Sequence, residues 1–297
     1  MRIGYACINL SLDCRSSRTF RLKSYSAENM ERTVGGNLSC LREQLAYNLE
    51  HGIAYFRISS DLVPFASHPV CDFPWQRAFR RQFGEIGAYV VEHGMRVTMH
   101  PDQFILINSP DTGIHERSVA ELVYHARVLD LMGLDGTHKV QVHVGGVYGD
   151  KEAGIARFAD RYRGLPAAVR RRLVVENDER SYGLADCLEV SALTGVPVVF
   201  DTLHHAANNR GEKLRPALVA AGSTWRQEDG VPMVDYSSQK KGARTGAHAY
   251  ALDADDFHRF LRAARGLDRD VMLEVKNKER SALEALSILN VTDGVSP

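Results

Sequence analysis

The chain has 297 residues, 44% apolar and 25% charged, with 37 basic and 37 acidic side chains that cancel to a formal net charge of zero. This is the composition of a globular protein with a core of ordinary size. It excludes recruitment of a polyanion by net charge alone, while leaving room for a local basic face.

The first residues, MRIGYACINLSLDCRSSR, lack the apolar run of a secretory signal. No stretch approaches the roughly 18 apolar residues of a membrane span. Cys7, Cys14, Cys40, Cys71 and Cys187 are odd in number and contain no C-x-x-C pair. A disulfide framework is therefore not expected, and a reducing, cytoplasmic setting is.

In chain order, the short apolar runs are RIGYACIN, AYFRIS, RVTMH, KVQVHVGG, RLVVEND, PVVFD, PMVDY and VMLEVKN. Several are apolar at both parities, as strands covered on both faces are. Amphipathic stretches separate them. Leu38, Leu41, Leu45 and Leu49 form one helical stripe closed by Gly52, and Val119, Leu122, Ala126 and Leu129 form another, stopped near Gly133. His51 and His93 each precede a glycine at a helix end, where a cation suits the dipole. Strand then helix, repeated eight times, predicts one α/β domain over residues 1–297, a (β/α)8 TIM barrel. A doubly wound sheet is the competing architecture.

In such folds the chemistry sits at the C-terminal ends of the strands. The first strand is expected to end at Asn9, with Tyr5 inside it, and the second is followed by SSDLVPFASHP, carrying His68. The third ends in His100, the fourth in His143, the fifth in Glu176 and the sixth in Asp201, with His204 beyond. The seventh carries Asp235, followed by His248, and the eighth carries Glu274. One histidine or carboxylate at a strand end is ordinarily a hydrogen-bonded loop residue. A ring of them is different, because unpaired carboxylates would repel and divalent cations relieve that repulsion. His51, His93, His115, His125, His138 and His258 fall on helices or at the opposite end and read as structural or solvated; of the adjacent pair, His204 is the expected ligand and His205 a supporting residue or a phosphate contact.

Two loops bear on substrate. HPDQFILINSP carries Gln103 beside Phe104, an amide and an aromatic that could insert between bases or pack beneath the loop. SSQKKGARTGAH sets Lys240, Lys241 and Arg244 among glycines before His248, suited to phosphodiester contacts or to plain solvation.

Taken together, RIGYACINLSL, RISSDLVPFASHP, MHPDQFILINSP, QVHVGGVYGDK, LVVENDER, FDTLHH and LEVKNKE resemble the ultraviolet damage endonuclease family over nearly the whole chain. The resemblance implies an endonuclease IV-like barrel that holds three divalent ions, manganese first, with zinc or magnesium as alternatives. It implies incision of damaged double-stranded DNA immediately 5′ to cyclobutane dimers and 6–4 photoproducts, leaving a 3′-hydroxyl and a 5′-phosphate. The expected enzyme is a nucleoid-associated monomer without an obligate protein partner.

Carried over to this sequence, His100, His143 and Glu176 hold the first ion, with Glu176 bridging to a second held by Asp201, Asp235 and Glu274, and His204 and His248 hold the third. Gln103 and Phe104 become a probing pair, Tyr5 and Asn9 flank flipped nucleotides, and His68 joins Glu176 as a catalytic candidate near the metals or the scissile phosphate. The pattern departs at Asp235, where histidine is common, at Met233, where lysine is, and at Phe104, where tyrosine is. The alternatives are a metal-dependent sugar isomerase or epimerase on a similar barrel, and a non-catalytic protein that binds damaged DNA.

Overall fold

A computed structural model describes residues 1–102 and 104–293. Eight parallel strands close into a barrel in chain order, the last pairing with the first. They are β1 (Ile3–Ala6), β2 (Tyr55–Ile58), β3 (Arg96–Met99), β4 (Val140–His143), β5 (Leu173–Glu176), β6 (Val198–Asp201), β7 (Met233–Tyr236) and β8 (Asp270–Leu273). The helices are α1 (Ala27–Glu50), α2 (Trp75–Ala78), α3 (Arg80–Glu92), α4 (Thr112–Leu131), α5 (Lys151–Gly164), α6 (Ala167–Arg170), α7 (Leu184–Thr194), α8 (Thr202–Ala207), α9 (Leu214–Gly222), α10 (Ala254–Ala264) and α11 (Glu279–Asp293). This is the (β/α)8 barrel expected from the repeat.

Side chains alternate across each strand. One parity, including Tyr5, Phe56, Val97, Val142, Val175, Phe200, Val234 and Leu273, packs outward into the large core shared with the helices. The other forms a smaller cluster of Ala6, Tyr55, Val174, Val199, Met233 and Met272. That inner column is not apolar throughout. At its lower end Arg96 bonds Asp270 at 2.9 Å and Lys139 bonds Asp229 at 2.6 Å, both within buried surroundings. At its upper end the same parity brings up Arg57, Gln141, Glu176, Asp201 and Asp235, all buried. Register sets their height: His143 lies opposite Glu176, and Asp201 opposite Asp235. Gly4 lets β1 close on β2, since a Cβ there would lie 2.4 Å from the Tyr55 carbonyl oxygen.

The helix boundaries follow local chemistry. The Ser26 side chain accepts from the Asn29 amide at 3.1 Å to start α1. Met30, Val34, Leu38, Leu41 and Leu45 form its buried stripe, whereas Leu49 is 40% exposed, so the stripe ends a turn before the pattern predicts. His51 caps α1 with its ring stacked on Tyr47, and His93 caps α3. Gly52 and Gly133 follow their helices with φ of 72° and 71°.

The expectation for the cysteines is overturned. Cys14 and Cys40 are joined in a disulfide, with Cα atoms 5.7 Å apart. Local spacing hid the pair, because 26 residues separate them. The loop after β1 returns across α1, where Ser16 Oγ donates to Gln44 Oε1 at 2.7 Å and the Arg18 amide to Asn37 Oδ1 at 3.0 Å. Cys7, Cys71 and Cys187 are free thiols. Among the described residues, no helix is long and apolar enough to cross a membrane.

Candidate metal centre

The upper polar layer of the barrel gathers three overlapping groups whose ligand atoms lie within 4.8 Å of one another: His100, His143 and Glu176; Glu176, Asp201 and His204; and Asp201, Asp235 and Glu274. Strand geometry explains the convergence. His143, Glu176 and Asp201 are the last residues of β4, β5 and β6, while His100 and Glu274 directly follow β3 and β8. Asp201 also caps α8, its Oδ1 accepting from the His204 amide at 2.6 Å. That cap fixes how the chain turns off β6 and aims His204 back over the mouth.

Glu176 is the hub. Its Oε2 is 3.2 Å from His100 Nε2 and 3.6 Å from His143 Nε2, and its Oε1 is 2.9 Å from His204 Nδ1. His248 stands against His204, ring centroids 6.0 Å apart, with its Nε2 3.9 Å from Glu274. His205 turns away, bonding the Glu212 carbonyl at 3.1 Å and packing on Phe200.

Burial works against charge on the Glu176 carboxyl, but His143 beside it and hydrogen bonds from His100 and His204 bring its pKa well below the usual range. Burial also opposes protonation of His204, and Asp201 and Glu176 overcome it, raising that pKa to about 11. Asp201 is pushed well above the usual carboxylate range by burial, opposed by His204 but reinforced by Glu176 and Glu274. Burial takes Asp235 up to about 8. Glu274 is held at about 2, because Arg57 outweighs burial. The layer is thus an excess of buried carboxylates short of positive charge. Asp201 Oδ2, His143 Nδ1 and His248 Nδ1 are buried without a hydrogen-bond partner. An imidazole and carboxylate donor set with a spare buried oxygen fits divalent zinc, manganese or iron.

The residues proposed from sequence are not all at this centre. His68 is exposed; its Nδ1 accepts from the Val70 amide at 3.0 Å and its ring packs edge-on to Phe65, outside the three groups. Tyr5 and Asn9 are buried rather than presented at the surface. The strand ends at Ala6, not Asn9. Tyr5 faces outward from the barrel, its hydroxyl donating to Asn48 Oδ1 at 2.7 Å and accepting from Asn9 Nδ2 at 2.8 Å, so both brace the β1 end against α1. Phe104 is 74% exposed and edges a cavity of about 560 Å³ above the centre. Gln103 lies outside the described residues. Lys240, Lys241 and Arg244 are exposed on a loop drawn together by the Gln239–His248 bridge.

Several residues at the site escaped the sequence reading. Lys276 and Lys278 line the same cavity. Glu179 approaches His204 Nε2 at 3.9 Å. Arg57 and Gln141 reach the ligand layer from inside β2 and β4. A charge or amide within an otherwise apolar strand, at the parity that also carries the ligands, was the available signal.

The chain is 34% identical over 305 residues to the UV DNA damage endonuclease of Bacillus cereus (strain Q1), covering 99% of this chain and 96% of that protein. It overlays the crystal structure of SacUVDE with a TM-score of 0.95 and 41% identity, covering 99% of each chain. Endonuclease IV from Thermus thermophilus shares the barrel, with a TM-score of 0.61 at 17% identity and full coverage of both chains, a likeness of fold alone. The model of UV-endonuclease UvdE matches residues 1–297, and with these relatives it establishes that the chain belongs to the UvdE family of UV endonucleases.

Proposed function

We propose that this chain is a metal-dependent endonuclease that cuts double-stranded DNA immediately 5′ to ultraviolet photoproducts, leaving a 3′-hydroxyl and a 5′-phosphate. The observation that carries the reading is the set of overlapping ligand groups hinged on Glu176 and Asp201, with Asp201 Oδ2 buried and unpartnered. Divalent ions held there, manganese first, would supply water activation and charge neutralisation on the phosphate. His100, His143 and Glu176 would hold one, and Glu176, Asp201 and His204 another, with His248 and Glu274 completing the rim.

The protein's own residues do the rest. Glu176 orients three imidazoles at once, and Asp201 fixes His204 through the α8 cap. Lys276 and Lys278 at the cavity, with Lys240, Lys241 and Arg244 on the neighbouring loop, would bind backbone phosphates. Phe104, exposed beside the cavity, would stack on an unstacked base, with Gln103 next to it hydrogen-bonding. A photoproduct is already poorly paired, so extruding it costs less than extruding a normal pair, which gives selection for damage without reading sequence. No side-chain nucleophile is needed, and His68 has no part in the proposed step.

With manganese, the protein should nick ultraviolet-irradiated supercoiled plasmid far faster than unirradiated plasmid. Equal rates on the two substrates would sink the damage-repair reading, and turnover of a ketose instead would favour the epimerase alternative.

A further inference from the structure

We propose that Arg57 is a built-in cation of this centre: it takes up Asp235 and Glu274 of the third group and leaves Asp201 to the second, so that the barrel mouth takes two divalent ions and Asp235 positions Arg57 rather than ligating metal. This rests on the metal-dependent reading above and refines it.

The three ligand groups are not equivalent. In the first two, the carboxylates meet imidazoles, which can give up a proton and turn their lone pairs to a metal. In the third, a guanidinium is already seated. Arg57 Nη2 lies 2.8 Å from both oxygens of Asp235 and 3.0 Å from Gln141 Oε1, while Nη1 bonds Glu274 Oε1. Gln141 Nε2 donates at 2.6 Å to Asp235 Oδ2 and at 2.6 Å to Glu176 Oε2. Both Asp235 oxygens therefore accept charge-assisted hydrogen bonds, and one also accepts from an amide. Asp201 has the opposite character, with Oδ2 buried and free. A metal on Asp235 would have to displace an arginine whose side chain is 4% exposed and which cannot shed its charge.

Charge balance points the same way. Glu176, Asp201, Asp235 and Glu274 together carry four negative charges when ionised. Two divalent ions and Arg57 leave one positive charge over, matched by one phosphodiester. A third divalent ion would leave three positive charges in a buried layer. Gln141 links the two regions, touching Glu176 on the metal side and both Asp235 and Arg57 on the other. Asp235 thus anchors the arginine, and the arginine holds Glu274 at the rim.

The test is a metal count on the full chain, loaded with manganese, freed of unbound ion by gel filtration and measured by mass spectrometry of the element. Two ions per chain are expected, and Asp235→Asn should keep both. Arg57→Met, which takes the guanidinium away from Asp235 and Glu274, should bind a third ion and show a larger rise in melting temperature on adding manganese than the parent protein does. Three ions in the parent, loss of one in Asp235→Asn, or a count still at two in a folded Arg57→Met would each overturn the proposal while leaving metal-dependent cleavage standing. No bound ion in the parent would overturn both. If either variant fails to fold, the parent count still decides.

Discussion

Glu176 is within hydrogen-bonding or ion-pair reach of His100, His143 and His204, and a single charge organises all three. Glu176→Gln keeps the shape and removes the charge. Residues that merely support metal ligands cost about 10- to 100-fold when changed, so this variant should lose at least about 100-fold in plasmid nicking. Binding to irradiated duplex, followed by a gel shift, should stay within a few-fold; retained turnover would remove Glu176 from the centre. That His100, His143, Glu176, Asp201 and Glu274 would meet was legible in the sequence, because each ends a strand or directly follows one, where the apolar run stops. Arg57 was not legible in the same way. AYFRIS reads as an apolar strand with one charge, and nothing local says that its partners come from β7 and beyond β8. Tyr5, set beside flipped nucleotides only by the family resemblance, has a parity that faces α1, which its position in RIGYACIN does not disclose.

At the scale of elements, short runs apolar at both parities, alternating with amphipathic helices, made the barrel readable, since outward positions had to be apolar to meet the helices. What the runs could not disclose was the inner column, where polar layers bracket a small apolar one. The disulfide was also out of reach, because only the return of the first loop over α1 brings Cys14 to Cys40. A cross-link over a loop of this size stabilises by about 3 kcal/mol in the chain-entropy account. Cys14→Ser, or reduction with dithiothreitol, should lower the urea midpoint accordingly. No change on reduction, with the thiols counted before and after, would mean that the bond adds nothing to stability.

At the scale of the whole molecule, two histidines sealed in the structure each contribute a term that acid removes. Burial lowers His125 and His138 to about 4, from an ordinary value near 6.5. His125 bonds the Glu121 carbonyl and Ser60, and His138 lies against the Val97 backbone. The folded state holds both neutral, while the unfolded chain takes up protons below about 6.5. Their contribution is complete above that pH and is lost as pH falls toward 4, on the order of 3 kcal/mol per histidine. Urea melts in chelator at pH 7, 5.5 and 4.5 read this term as a difference: between pH 7 and 4.5 the parent should lose more stability, or gain less, than His138→Gln does. An unchanged slope in that variant would assign the acid sensitivity elsewhere.

The Cys14–Cys40 link has one more consequence, for a damaged polypeptide rather than an intact one. Arg15, Arg18, Arg21 and Lys23 are all exposed within the span it closes. A protease that cuts after any of them severs the backbone but releases nothing. The N-terminal piece contains β1, a stave of the barrel, and it stays attached through sulfur to α1, still paired with β2 and β8. Nicked molecules would migrate as one chain until a reductant separates the halves. Within this span the protein can lose its covalent continuity and keep its β1 stave tethered.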